Sequence, residues 1–213
     1  MPLAKRKPRH EARQARTDVY RQHVFEAAEQ VFAEHGFEAA KLQDISKRVG
    51  LSMGTIYSIF PSKGDMLRAI LDERGQAILT LVRDITGRES APRDALNALI
   101  EGYIDYFHAH PGFLRMHLRQ GGSWVLSPAP SSDSRSQVWE EIHRLQAGIF
   151  RRGVKDGTFI DEDPDMLAKM FSAMDQVLLS EWAAQGMKAK PDELVRRLQG
   201  MVERAFCRRA ARR

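Results

Sequence analysis

The chain has 213 residues, 43% of them hydrophobic, with a net charge of +5. That much apolar content belongs to a folded globular protein and excludes a disordered polar chain. The single cysteine, Cys207, excludes an intrachain disulfide framework and a cysteine-based metal cluster. No apolar run is long enough to span a bilayer, and residues 1–21 lack the apolar core of a signal peptide, so a cytoplasmic location is expected.

The positive charge is uneven. Residues 1–21 carry Lys5, Arg6, Lys7, Arg9, Arg13, Arg16 and Arg21 against only Glu11 and Asp18, which accounts for the whole net charge. Residues 1–17 therefore read as a flexible basic arm that follows phosphates or enters a minor groove, or else as a solubilising tail. The first helix is expected over 18–35, capped by Thr17, with Phe25, Ala28 and Phe32 inward.

The next stretch is the most specific. Leu42, Ile45 and Val49 recur at three and four residues, one face of a short helix, and Asp44, Lys47 and Arg48 fall on its outer side. Gly50 ends that helix, because glycine enters left-handed backbone space cheaply. Leu51 plugs the angle between two helices, and Ser52 caps the second. Ile56 and Phe60 form its buried side, leaving Met53, Gly54, Thr55, Tyr57 and Ser58 outward. A face of small and hydroxyl residues suits close approach to a DNA groove better than simple solvation, which favours Glu and Lys. The pattern is that of a helix-turn-helix; an ordinary pair of core helices is the alternative. Pro61 stops the second helix, and Ser62 caps the next.

Helices follow over 63–87, from Ser90–Pro92 to a break at His110–Gly112, over 113–119, about 135–155, about 163–185 and 191–209, with Cys207 in the last. Gly121–Gly122 and 127–134 read as a polar loop, and Lys155–Gly157 as a turn. Period-two strands and internal repeats are absent from the pattern. The fold class is all-α: an arm (1–17), a three-helix helix-turn-helix head (18–62) and a helical bundle (63–213).

Residues 36–67, GFEAAKLQDISKRVGLSMGTIYSIFPSKGDML, closely resemble the N-terminal signature of the tetracycline-repressor (TetR, AcrR-like) family of bacterial transcription regulators. Similarity covers about residues 18–70. The chain departs from the pattern at Lys41, where members often carry Thr or Ser, at Ser46, usually Ala, and at Ile59, usually aromatic or His. The resemblance implies a homodimeric regulator that binds a palindromic double-stranded DNA operator and responds to a small-molecule inducer. Its DNA-contacting candidates are Lys41, Gln43, Ser52, Met53, Gly54, Thr55, Tyr57, Ser58 and Lys63. Thr55, Tyr57 and Lys63 fall to phosphates, and Gln43, Met53, Gly54 and Ser58 to base edges or close approach.

Helix-turn-helix heads read paired half-sites, so the bundle should dimerise. Met170, Met174 and Val177 on one helix, and Leu194, Leu198, Met201 and Val202 on the next, are the candidate interface; the same stripes also read as internal core. The middle helices are rich in residues that line adaptable apolar cavities. Tyr103, Phe107, Phe113, His117, Trp124, Trp139, His143, Met174 and Leu178 are the ligand-binding candidates. His117 and His143 supply polar anchors, with Asp175 as a partner; the ligand class this implies is apolar or aromatic with one polar group. Asp175 and Glu181 otherwise read as solvated or paired.

No cofactor or metal site is expected: His108 and His110 do not share a helix face, and Pro111 and Gly112 interrupt the register to His117. No phosphate loop, HExxH or activated nucleophile is present, so the reading is not an enzyme. A repressor is the first expectation. An activator or a global nucleoid binder with the same head, a helical binding protein without DNA recognition, and an all-α enzyme that turns over its ligand are the alternatives.

Overall fold

A computed structural model describes residues 7–119 and 134–208, with side chains from residues 19–119 and 137–208. Among these residues it forms nine helices, α1 (Lys7–His35), α2 (Leu42–Val49), α3 (Met53–Ile59), α4 (Lys63–Thr86), α5 (Pro92–Ala109), α6 (Pro111–Arg119), α7 (Ser134–Asp156), α8 (Pro164–Ala184) and α9 (Pro191–Phe206). The all-α class is correct. Among the described residues, the backbone pairing outside helices is an isolated bridge between Phe159 and Cys207.

The first helix departs from expectation. It starts at Lys7, so Thr17 lies inside a helix rather than capping one, and the stretch read as an arm is helical from residue 7. Pro8 sits in the first turn, where its missing N–H costs nothing, and the Glu, Ala, Arg and Gln that follow are good helix formers without an intervening glycine. Residues 1–6, 120–133 and 209–213 lie outside the described residues, and with them most of the polar loop expected at Gly121–Gly122 and 127–134. Cys207 also departs: it caps α9 in extended conformation, its N–H donating to Glu203 O.

The chain divides into a unit of residues 1–71 and a unit of residues 72–213. The division falls inside α4, not ahead of it at residue 62.

In the first unit, α1, α2 and α3 pack on one another around Phe25, Phe32, Ile45, Ile56 and Phe60. Met66 and Ile70, from the first turns of α4, are fully buried as well.

In the second unit, α7 lies on α8, α5 on α7 and α9, and α6 and α9 on α8. Gly102 of α5 lets Leu81 and Ile85 of α4 approach closely; a Cβ there would stand 3.1 Å from Leu81. Phe150, Phe159 and Phe206 form the aromatic centre under the bridge, with ring centroids 5.1 Å apart for Phe150–Phe159 and 5.5 Å for Phe150–Phe206. Leu194, Leu198 and Val202 bury the inner face of α9 in this protomer's own core.

Candidate functional site

The turn between α2 and α3 is built as its residues demand. Gly50 adopts φ +67°, and its N–H donates to Ser46 O. Ser46 adds a side-chain tie: its hydroxyl donates to Leu51 O at 2.6 Å. An Ala at this position could not make that bond. Ser52 caps α3, its Oγ accepting from Thr55 N at 3.2 Å and standing 2.9 Å from Thr55 Oγ1. Ser58 Oγ donates to Thr55 O at 2.7 Å. Lys41 precedes α2 without any side-chain cap, as expected for a residue that cannot accept a hydrogen bond.

The outward face follows from that frame. Lys41, Gln43, Ser52, Gly54, Tyr57 and Ser58 are exposed, with Tyr57 at 50%. Met53 and Thr55 are half-buried. Lys47, on the exposed side of α2, adds a cation to the same surface. Arg48 is not available in the same way. Its guanidinium grips Glu34 through both nitrogens, at 3.1 and 2.9 Å, and Gln30 at 3.3 Å, tying α2 to α1.

Lys63 is placed differently from the expectation. Its ammonium donates to three carbonyls, Phe37 O at 2.6 Å, Glu38 O at 3.1 Å and Ala40 O at 3.3 Å, and lies 4.5 Å from the centre of the Phe37 ring. Its three protons are thus committed to the α1–α2 connection. The cation at the start of α4 is offset by those carbonyl dipoles, so no phosphate is needed to tolerate it. Ser62 caps α4, accepting from Asp65 N at 3.0 Å and donating to the Asp65 carboxylate at 2.7 Å. Those bonds, with Arg68 alongside, lower the Asp65 pKa.

The second unit encloses a cavity lined by Ile78 of α4, Tyr103 and Phe107 of α5, Trp139, Ile142, His143 and Gln146 of α7, and Ser172 and Asp175 of α8. The space open to the centre of a water molecule is about 30 Å³. That accommodates two or three waters, since each needs ~10–15 Å³.

Its polar wall is a relay: Ser172 Oγ donates to Gln146 Oε1 at 3.2 Å, and Gln146 Nε2 donates to Tyr103 Oη at 2.9 Å. Asp175 is 5% exposed, and among the described residues its Oδ1 has no hydrogen-bond partner. Burial pushes its carboxyl up to about 7. Burial also raises the Tyr103 phenol, and the Asp175 charge adds to that shift. His143 is lowered by burial, partly opposed by Asp165, whose Oδ1 lies 3.6 Å from Nε2.

Four of the nine ligand candidates, Tyr103, Phe107, Trp139 and His143, thus meet at one cavity. Phe113 and His117 do not line it. They extend an aromatic stack behind its wall, Phe107–Phe113 at 6.0 Å, Phe113–His117 at 5.9 Å and His117–Trp139 at 6.0 Å. Burial there lowers the His117 pKa to about 4. Met174 and Leu178 do not line the cavity either, because on α8 it is Ser172 and Asp175, three apart, that face it. Trp124 lies outside the described residues. Ile78, Ile142, Gln146 and Ser172 escape a reading by residue type, being ordinary stripe or polar residues in a helical pattern. Asp175, expected as an anchor's partner or else solvated or paired, is instead buried at the wall.

The interface candidates also separate. Leu194, Leu198 and Val202 are buried within the protomer. Met170 and Val177 are exposed, Val177 at 68%, while Met174 and Met201 are half-buried. Met166 joins them on the same face of α8 at 48% exposed.

Among the described residues, no group of three or more His, Cys, Asp and Glu could hold a metal ion, and no helix is long and apolar enough to cross a membrane.

Residues 24–70 match the family model for bacterial regulatory proteins of the tetR family. The chain is 21% identical over 150 residues to the nucleoid occlusion factor SlmA of Vibrio atlanticus, covering 70% of this chain and 76% of that one. Among solved structures it shares its fold with the TetR family transcriptional regulator PfmR of Thermus thermophilus, at a TM-score of 0.71 and 23% identity over 85% of this chain and 97% of that one. It also shares it with the ketosteroid transcriptional regulator KstR2 of Mycobacterium tuberculosis, at a TM-score of 0.74 and 19% identity over 89% and 96%. Residues 24–70 thus carry the head of the tetR family of bacterial regulatory proteins, and the chain shares its helical fold with solved regulators of that type.

Proposed function

We propose that the protein is a cytoplasmic, homodimeric repressor that leaves a palindromic operator when a small molecule enters the bundle. The observation that carries this reading is the outward face of α3. Gly54, Tyr57 and Ser58 are exposed on a short helix whose start and preceding turn are fixed by Ser52, Gly50 and Ser46. A rigid, small-residue helix flanked by Lys41 and Lys47 fits a major groove and its phosphates. Gln43, Met53, Gly54 and Ser58 are the positions for bases or close approach; Lys41, Ser52, Thr55 and Tyr57 are those for phosphates.

Met166, Met170 and Val177, one stripe at helical spacing on α8, supply the apolar surface for a second copy, with Met174 and Met201 at its edge. The cavity supplies the ligand site. Ile78 lines it from α4, the helix whose first turn holds Lys63, so a ligand that displaces Ile78 acts on a helix belonging to both units. The ligand lowers DNA affinity to the extent that it favours an α4 arrangement in which the two heads no longer fit successive grooves. The same surfaces bind ligand and DNA without chemistry, so the protein is not an enzyme.

Footprinting on genomic DNA tests this. Protection of a discrete inverted repeat supports the repressor reading, and binding without any discrete site rejects it. The similarity to SlmA, a nucleoid occlusion factor, favours a second reading in which the same head occupies many chromosomal sites. Dispersed inverted repeats, remote from one regulated promoter, would identify that case.

A further inference from the structure

We propose that the cavity selects a monocation, an apolar or aromatic body bearing one protonated amine whose N–H groups meet Asp175. This rests on the reading of the cavity as the ligand site and adds the charge of the ligand. Four observations carry it.

First, the polar side chains of the wall are not equivalent. Ser172, Gln146 and Tyr103 are engaged with one another, in the order Ser172 to Gln146 to Tyr103. Asp175 alone among these has a buried oxygen lacking a partner. A buried acceptor left unmade is costly, and a donor brought by the ligand removes that cost.

Second, the lining is electrostatically one-sided. Among the described residues, no lysine or arginine lines the cavity, and Asp175 is its only carboxylate. His143, the histidine of the described lining, is held toward its neutral form by burial. An anionic ligand would meet no counter-charge and one carboxylate, whereas an ammonium would meet its partner in a low-dielectric setting where the pairing is strong.

Third, Tyr103, Phe107 and Trp139 present aromatic rings around the same space, surfaces that attract a cation as well as an apolar body.

Fourth, Asp175 is more than nine-tenths buried and lies on α8 three residues from Ser172, so helix geometry and not a mobile loop holds it at the cavity. Its raised proton affinity is consistent with a carboxyl that waits for a counter-ion, and an ammonium would bring it back to the charged state.

The experiment compares three probes of matched shape, 4-phenylbutylamine, 4-phenylbutanol and 4-phenylbutyrate, by calorimetry on the full-length protein and on Asp175→Asn. The amine should bind the wild type at least ~10-fold more tightly than the alcohol, the worth of one charge-assisted hydrogen bond, and the carboxylate should bind least. Asp175→Asn, isosteric and free of a buried charge, should bind amine and alcohol alike while retaining the wild-type helical signal. A cavity-filling Ser172→Leu variant should lose all three. Equal binding of the three probes by the wild type, abolished by Ser172→Leu, keeps the cavity as the ligand site and overturns the charge selectivity. An amine preference that survives Asp175→Asn overturns it as well. Binding of none of the probes overturns the cavity reading and the charge inference together.

Discussion

Asp175 makes a quantitative demand on stability. Its carboxyl ionises near 3.8 in an unfolded chain and near 7 in the native cavity. Below pH 3.8 both states hold the proton, and the contribution to native stability is complete. As pH rises toward 7 the unfolded chain releases its proton while the native protein keeps it, so stability falls by ~1.4 kcal/mol for each pH unit. Above pH 7 both states are ionised, and the accumulated loss levels off at roughly 2–4 kcal/mol, the lower figure allowing for relaxation and water entry around the charge. Asp175→Asn removes the titration. The wild type should therefore lose ground to the variant by roughly 2–3 kcal/mol between pH 5 and pH 8, or on the order of 4–12 °C in Tm. The comparison must be made against the variant, because His117, whose pKa is lowered to about 4, gives an opposite slope in an overlapping window: stability lost as pH falls below 6.5. That term, like that of His143 at the cavity, is common to both proteins, and Tyr103, whose shift does include the Asp175 charge, is raised and so titrates above this window. Urea melts followed by tryptophan fluorescence are the assay. All three tryptophans, Trp124, Trp139 and Trp182, fall in residues 72–213, so the signal reports the unit that contains Asp175. The same stability difference at pH 5 and pH 8 would refute the claim that this carboxyl is buried without compensation.

Four further outcomes follow from the geometry. Tyr57→Ala should weaken operator binding by about 10-fold with melting and the salt slope unchanged, because a phenol hydrogen-bonds a phosphate without neutralising it, measured by fluorescence anisotropy across salt concentrations; unchanged affinity would remove Tyr57 from the phosphates. Lys63→Met should instead lower the stability of residues 1–71 by roughly 1–3 kcal/mol, since three carbonyls lose their cation, seen as faster amide exchange around Phe37–Ala40; normal exchange with a reduced salt slope would return Lys63 to a phosphate role. Gly153→Ala should destabilise the second unit by roughly 1–3 kcal/mol or more in thermal melts, because its methyl would run into the Phe159 ring; an unchanged Tm would show that Phe159 yields. Val177→Asp should shift the protein from dimer to monomer in light scattering and with it weaken operator binding; a variant that stays dimeric would place the interface elsewhere.

Legibility in the sequence tracks how local each feature is. Gly50, Ser52 and Ser62 are readable because a cap or a left-handed residue is decided within four positions, and α4 to α8 begin and end within two residues of expectation for the same reason. The start of α1 misleads because Thr17 satisfies a capping rule locally, while nothing in residues 7–17 breaks a helix. Lys63 and Arg48 mislead because their partners, Phe37, Glu38 and Ala40 for one and Glu34 and Gln30 for the other, lie 14 to 26 residues away. The cavity is half legible. Aromatic residues announce themselves by type, but Gln146 and Ser172 meet across α7 and α8, 26 residues apart, a pairing that no periodicity encodes. The Leu194, Leu198 and Val202 stripe is plainly apolar in the sequence; whether such a stripe faces its own core or a partner is decided by the third helix against it, here α5.

The two polar arrangements of the molecule have opposite characters, and their functions follow from that. Around α3, the polar side chains on and behind the exposed face are satisfied: Lys63, Arg48, Ser46, Ser52 and Ser58 all find partners within the head. Such a network holds one geometry, as a surface that must match the fixed spacing of a DNA groove requires. Around the cavity, a relay of three satisfied groups ends beside a carboxylate oxygen that is not. The resident space holds only a few waters, so a ligand would have to move the walls to enter. On the proposed reading, an incoming donor would meet the unpartnered Asp175 oxygen while its body displaces Ile78 or Trp139, and the first gain would offset the second cost. A site that is already complete would have nothing to gain by opening. On the proposed ligand reading, the unsatisfied Asp175 is therefore what would make displacement of Ile78 by a small amine energetically feasible.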